Sequence, residues 1–248
     1  MQMPIYNHNS MELIEKAFIP LYEKYQRREF VNGTVELIDA HLKFEPTDKY
    51  INLGTKKNAP QKYIQKELNW YLSQSLSIKD HVDDVEIWSR VATKDAGRVN
   101  SNYGWCVLSD ENYSQFDHAL RQLIDSPNGR QSVCIYTRPS IQVEWNDGVH
   151  ADHDFICTYA TQHFIRDGRL EYIVYMRSND AIFGLINDFA WHYHVYLRFM
   201  SRLSENGINL EPGLIHWNAG SLHIYERHYE LLRDVVEEYK SWKIGLEV

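Results

Sequence analysis

The sequence predicts an α/β or α+β domain built on a mixed β-sheet, and three observations lead there. Apolar residues recur at helical spacing through the first half of the chain. The period shortens toward two in the middle, and an Asp-Gly pair at 167–168 separates two strand-like runs. Helices come first and strands interleaved with helices follow, the order of a sheet covered by helices. The 248 residues contain no internal repeat, low-complexity tract or Pro/Gly/Ser-rich linker, so residues 1–248 are read as a single catalytic-sized domain.

The elements follow in order. Leu13, Ile14, Ala17, Phe18, Leu21 and Tyr22 share one helical face and predict a helix over 11–26. Tyr63, Ile64, Leu68, Tyr71 and Leu72 do the same over 60–76. A third helix is expected over 111–125, where Tyr113, Phe116, Leu120 and Leu123 align and Pro127 follows the end. Residues 131–138 (QSVCIYTR) look like a buried strand. Runs at 154–165 and 170–177 flank Asp167-Gly168, two residues that tolerate the positive φ of a tight hairpin turn. A long helix is expected over 181–203, strands at 214–217 and 222–225, and a last helix over 226–242.

Composition narrows the function. A formal charge of -8 argues against coating nucleic-acid polymers, which runs on counterion release by Lys and Arg. A small anionic ligand needs only a local basic pocket. Three cysteines are too few for a disulfide framework. The start MQMPIYNHNS lacks a charged-then-apolar signal pattern and no apolar run approaches a membrane span, so a cytoplasmic protein with no membrane partner is expected.

Several residues can carry chemistry, each with a plainer reading beside it. Cys157 in DFICTYATQ is either a small buried hydrophobe or a nucleophile; Cys106 and Cys134 keep the plain reading. Arg177-Ser178-Asn179-Asp180 ends a strand and opens a helix, which suits both a strand-end Arg followed by an N-cap and an anion site. Asp188 in GLINDFAW belongs on a solvent face unless it recognises a ligand, because an unpaired buried carboxylate is costly. Glu67 in KELNWYL is by default an exposed helical glutamate. His223 and Tyr225 alternate on a strand and so face one side. His150 and His153 in HADHD lack a full ligand set at familiar spacing, so a polar loop and no metal are expected.

Taken together, YIQKELNWY (63–71), NSNYGW (100–105), IYTRPS (135–140), FICT (155–158), MRSNDAIFG (176–184), NDFAW (187–191) and IHWNAGSLHIYERH (215–228) resemble the thymidylate synthase superfamily in content and order. They are more similar still to its T-even phage branch, which hydroxymethylates deoxycytidylate (dCMP). The resemblance implies a homodimer with large sheets packed back to back and active sites shared across the interface. It makes Cys157 the nucleophile and gives the nucleotide phosphate to Arg177 and Ser178, with Arg130 reaching over from the other subunit. It assigns the sugar hydroxyl to His223 and Tyr225, proton and water traffic to Glu67 with Tyr103 nearby, and base recognition to Asp188. Trp88 would flank the pterin and Asp180 contact the folate. The implied co-substrate is 5,10-methylenetetrahydrofolate, and the implied product is 5-hydroxymethyl-dCMP for phage DNA.

The expected thiol chemistry rests on Arg177 lowering the Cys157 pKa. The choice of cytosine rests on Asp188, at a position where uracil-using members carry Asn, whose amide suits O4 and the ring N–H of uracil. The chain also departs from the family. Arg130-Gln131 stands where two arginines are usual, and the N-terminal phosphate loop is shortened around Val31-Asn32-Gly33-Thr34, with Arg27 or Arg28 as substitutes. Thr158 follows the hydroxymethylase pattern, and the terminal GLEV matches nothing usable. Three other readings stay open: a dCMP C5-methyltransferase, a CMP hydroxymethylase, and a catalytically silent nucleotide-binding protein.

Overall fold

The computed structural model describes residues 6–79, 81–93, 97–145 and 154–246. The first helical segment runs through α1 (His8–Leu13), a π-helical turn (Ile14–Phe18) and α2 (Ile19–Gln26). Its start is set by Asn7, whose side-chain oxygen accepts the Ser10 N–H at 2.9 Å. Then follow β1 (Thr34–Phe44), α3 (Gln61–Ser73), α4 (Glu86–Val91), α5 (Tyr103–Leu108) and α6 (Gln115–Asp125). The second half holds β2 (Val133–Ile135), α7 (Ile141–Glu144), β3 (Thr158–Arg166), β4 (Arg169–Met176), β5 (Asn179–Asp180), α8 (Gly184–Glu205), β6 (Glu211–Tyr225) and α9 (Tyr229–Leu246).

The sheet is mixed, in the order β1-β6-β4-β3-β2, with β5 pairing β6. β4 and β6 are parallel, as are β5 and β6, while the other pairs are antiparallel. Asp167 and Gly168 both take positive φ, 50° and 71°, and close the β3–β4 hairpin as expected. The two strands anticipated at 214–217 and 222–225 are one continuous β6. The strand expected over 131–138 shrinks to three residues. Tyr113 and Ser114, both at positive φ, delay α6 to Gln115, and β5 with its following turn delays α8 to Gly184.

An irregular line crosses the sheet and sets where the polar chemistry sits. On β6 the buried residues are Trp217 and Ala219, then Leu222 and Ile224, so the inward phase flips at Gly220-Ser221. On β3 it flips between Thr158 and Thr161, where the pairing with β4 shifts register. On β1 it flips between Val35 and Leu42, around Asp39 at φ 57°. These breaks are neighbours, because Ala40 pairs Ala219, Ala219 pairs Met176, and Met176 pairs Thr158. Gly220 is required there: a Cβ would lie 2.8 Å from the Arg177 carbonyl oxygen. The break re-aims the backbone of Cys157, Arg177 and Ser221, which stay linked by Arg177 N–H to Cys157 O (2.9 Å) and Ser221 N–H to Arg177 O (3.1 Å).

One sheet face packs on α8, whose Leu185, Phe189, Trp191, Val195, Phe199 and Leu203 are buried. Inside this layer His163 and His192 are fully buried. His163 exchanges hydrogen bonds with Ser132 Oγ (3.0 Å) and Thr161 Oγ1 (3.1 Å), and His192 with the Tyr172 hydroxyl (3.2 Å). Burial holds both imidazoles neutral, down to about 3. The opposite face leaves Ile38, Ile135, Tyr159 and Tyr175 exposed. Among the described residues, no helix is long and apolar enough to cross a membrane.

Candidate active site

Cys157 precedes β3 and Arg177 follows β4, so the β3–β4 pairing brings them together at the irregular line. The Arg177 guanidinium donates to Phe155 O (2.7 Å) and Ile156 O (3.2 Å) and lies 3.5 Å from Cys157 Sγ. Two carbonyls therefore fix the cation beside the sulfur. Arg177 pulls the thiol pKa down as expected, but burial outweighs it and pushes Cys157 up to about 11. The negative groups Asp188 and Asp154 push the same way as burial. The expected pull of Arg177 is present, but desolvation is the larger effect at this sulfur. All three cysteines are free, and burial lifts Cys106 and Cys134 to about 12.

Glu67 is not an exposed helical glutamate. It is buried on α3, accepts a short hydrogen bond from the Tyr63 hydroxyl one turn earlier, and accepts the Trp88 indole N–H at 3.1 Å. Burial raises its pKa to about 7 against the pull of these two donors. A carboxyl poised near neutrality can both hold and release a proton, which is what acid–base work requires.

Asp188 is half-buried on α8 and carries the same signature more strongly. Burial first, then the nearby Glu67 charge, lift its pKa to about 8. Asn179 Nδ2 donates to Asp188 Oδ2 at 2.8 Å, and Asn179 Oδ1 accepts the indole N–H of the fully buried Trp217 at 3.2 Å. Burial raises the pKa of the Tyr103 phenol, and the nearby Asp188 and Cys157 add to the rise. Cys157, Arg177, Glu67, Tyr103 and Asp188 thus form one electrostatically coupled group.

The remaining candidates border this group or lie apart from it. His223 and Tyr225 are half-buried on one face of β6, with ring centroids 5.0 Å apart, and the Arg227 guanidinium lies 4.3 Å from the Tyr225 ring. Backbone pairing places Asp180 beside His223. Ser178 is half-buried between β4 and β5. Asp180 caps the turn into α8: its Oδ1 accepts Ile182 N–H at 3.0 Å. The half-buried Trp88 also donates to the Tyr63 hydroxyl at 3.1 Å and packs edge-on against Trp70. Arg130 is exposed before β2, and its backbone N–H and carbonyl bond the side chains of Gln131 and Gln162. His150 and His153 lie outside the described residues. No group of three or more His, Cys, Asp or Glu able to hold a metal occurs among the described residues.

The family model for thymidylate synthase matches residues 8–246. The chain belongs to the thymidylate synthase family. Deoxycytidylate 5-hydroxymethyltransferase of Enterobacteria phage T4 is 44% identical over 187 residues, which is 74% of this chain and 72% of that protein. Its counterpart from Enterobacteria phage T2 is 44% identical over 174 residues, 68% and 69% of the two chains. Thymidylate synthase 1 of Bacillus subtilis (strain 168) is 29% identical over 213 residues, 82% of this chain and 71% of the relative.

This thymidylate synthase family member carries two polar residues at the site that sequence reasoning did not single out. Asn179 enters the sequence argument only as one of three capping residue types, yet Asp180 holds the turn ahead of α8 and the Asn179 amide is directed at Asp188. Asp154, fully buried, accepts the N–H groups of Asn100 (2.6 Å) and Ser101 (2.8 Å) and the Ser101 hydroxyl (2.6 Å). It ties the 100–101 loop to the segment that carries Cys157, and burial raises its pKa. A helical wheel does place both carboxyls on core-facing sides of their helices. Glu67 lies four residues from both Tyr63 and Tyr71, and Asp188 three from Leu185 and four from His192.

Proposed function

We propose that this protein is a deoxycytidylate 5-hydroxymethyltransferase, acting on dCMP with 5,10-methylenetetrahydrofolate and water to give 5-hydroxymethyl-dCMP and tetrahydrofolate. The observation that carries the reading is a carboxyl, Asp188, in the same coupled group as the Cys157–Arg177 pair, with its pKa pushed up to about 8. The 44% identity to the phage hydroxymethyltransferases supports it.

The chemistry follows from the side chains. Cytosine C5 is a poor nucleophile until a thiolate adds to C6, which turns C5 into an enamine-like carbon. Cys157 supplies the sulfur. With its pKa raised, Cys157 rests as a thiol, and its proton passes to water as the sulfur adds to C6, with Arg177 stabilising the anion at 3.5 Å. Methylenetetrahydrofolate, when bound, supplies the one-carbon unit as an electrophilic methylene. Once C5 has bonded that carbon, Glu67, near 7, accepts the C5 proton directly or through water as the bond to the departing tetrahydrofolate breaks. It also directs water to the exocyclic carbon so formed. Expulsion of Cys157 from C6 releases the product.

Asp188 recognises the base. As a neutral acid protonated on the oxygen that faces N3, it donates to cytosine N3 and accepts from the 4-amino group. Arg177 and Ser178 hold the phosphate, with Arg130 of a second copy, and His223 and Tyr225 hold the sugar hydroxyl. Trp88 offers an aromatic face to the pterin. Asp180 fits a folate N–H donor, because its cap uses only Oδ1. The exposed Ile38, Ile135, Tyr159 and Tyr175 on the outer sheet face support a homodimer packed through the sheets.

Incubation with methylenetetrahydrofolate and C5-tritiated dCMP, dUMP or CMP tests the reading. Tritium release from dCMP with a hydroxymethyl product by mass is the expected result. A methyl product would overturn the final step, and release from CMP in preference to dCMP the choice of sugar. No release from any nucleotide would leave a binding protein.

A further inference from the structure

A carboxylic acid facing a pyrimidine is not by itself selective for cytosine. With the proton on the oxygen near N3 it donates to N3 and accepts from the 4-amino group. With the proton on its other oxygen it donates to O4 of uracil and accepts from the uracil N3–H. Some other group must decide which oxygen carries the proton.

The structure contains such a group. Trp217 is fully buried, and its indole N–H, a donor only, points at Asn179 Oδ1 at 3.2 Å. That contact fixes the amide flip, so Asn179 Nδ2 is the atom 2.8 Å from Asp188 Oδ2. Asn179 is itself buried and cannot turn away into solvent. A permanent N–H donor at Oδ2 makes that oxygen an acceptor and disfavours a proton on it. With Oδ1 turned to N3 and Oδ2 to the 4-position, the favoured form is the one that reads cytosine, the Tyr103 phenol being the other hydrogen-bonding side chain at the carboxyl.

We propose that Asn179, held in one orientation by Trp217, is a specificity-determining positioning residue that confines the Asp188 proton to Oδ1 and so removes the uracil-compatible form of the acid. This rests on the reading of Asp188 as the base-recognising carboxyl. The titratable groups facing Asp188 are Glu67, Tyr63 and Tyr71 from α3, Tyr103 from α5, Cys157 ahead of β3, and Asp180 from β5. The Asn179 donor pulls the Asp188 pKa down against burial and the Glu67 charge.

The test compares kcat/KM for tritium release from dCMP and dUMP in the wild type, Asn179→Ala and Trp217→Phe, with pH profiles for each. Asn179→Ala is expected to lower the dCMP:dUMP ratio about ten-fold, the worth of one neutral hydrogen bond. It should also move the limb governed by Asp188 to higher pH. Trp217→Phe frees the amide to flip and should shift the ratio the same way by a smaller factor. A merely structural role would lower both substrates together and leave the ratio alone. If Asn179→Ala does not fold, Trp217→Phe decides by itself. A folded variant with unchanged ratio and profile overturns the proposal while leaving the function intact. A wild type that prefers dUMP, or releases no tritium from dCMP, overturns the reading of Asp188 and the proposal with it.

Discussion

The Arg177 guanidinium sits 3.5 Å from Cys157 Sγ, yet the thiol is held at about 11, two above its ordinary value of 9. The pair is a nucleophile at rest. Alkylation of Cys157 in the free protein is expected to be slow at neutral pH and to rise up to about pH 11. Fast alkylation with a midpoint below 8 would contradict this. Cys157→Ala should abolish tritium release while dCMP binding by calorimetry stays within several-fold.

Glu67→Gln keeps the shape and the Tyr63 and Trp88 contacts but cannot shuttle a proton. Turnover should fall by roughly 10²–10⁴-fold, with nucleotide affinity little changed. Single-turnover kinetics separate the two, and an unaltered rate would remove Glu67 from the chemistry.

Asp188→Asn presents an amide to the base. Because the fixed Asn179 donor holds that amide in the cytosine-reading order, the informative variant is Asp188→Asn with Asn179→Ala, whose amide is free to turn its oxygen to N3. In that variant dCMP turnover should fall by about 100-fold, the loss of two hydrogen bonds, and dUMP-dependent proton release should rise. A mutant that keeps its dCMP preference would show that recognition lies elsewhere.

The buried titrating groups make stability depend on pH in two opposed ways. Glu67 at about 7 and Asp188 at about 8 keep protons that the unfolded chain releases near pH ~4, so stability falls as pH rises from there toward 8. His163 and His192, lowered from 6.5 to about 3, stay neutral where the unfolded chain is protonated, so stability is lost as pH falls from 6.5 toward 3. Of these two effects the carboxyl one continues above pH 6.5, with a slope of at most about 1.4 kcal/mol per pH unit for each proton. Asp188→Asn should flatten that limb in urea titrations at pH 6.5 and 8. Parallel curves for mutant and wild type would refute the assignment.

Gly104 opens the first turn of α5 against α3: a Cβ there would fall 1.7 Å from the Tyr71 carbonyl oxygen. Gly104→Ala must push the two helices apart and should cost about 3 kcal/mol, read as a lowered denaturation midpoint. It would also separate Tyr103 from Tyr71, now stacked at 5.1 Å.

Local order was legible where the pattern stays in phase. The helices carrying Ile64, Phe116 and Phe189 and the Asp167-Gly168 hairpin follow from spacing and turn chemistry. β1 was not, because its inward face changes between Val35 and Leu42 around Asp39, which breaks the period-two signal. The same kind of break at Gly220-Ser221 made one long strand read as two.

The sequence by itself determined the class of fold, the family and the residue types that carry the proposed chemistry, since these depend on periodicity and on ordered motifs read along the chain. The tertiary structure decided what those residues are electrically. Sequence places Arg177 twenty positions from Cys157; only pairing of β3 with β4 sets the guanidinium beside the sulfur, and only burial makes the thiol weaker rather than stronger as an acid. Likewise, Asn179 reads as a cap until Trp217, thirty-eight residues away, fixes its amide toward Asp188. Desolvation and hydrogen-bond direction are properties of the packed chain, and spacing along a sequence does not contain them.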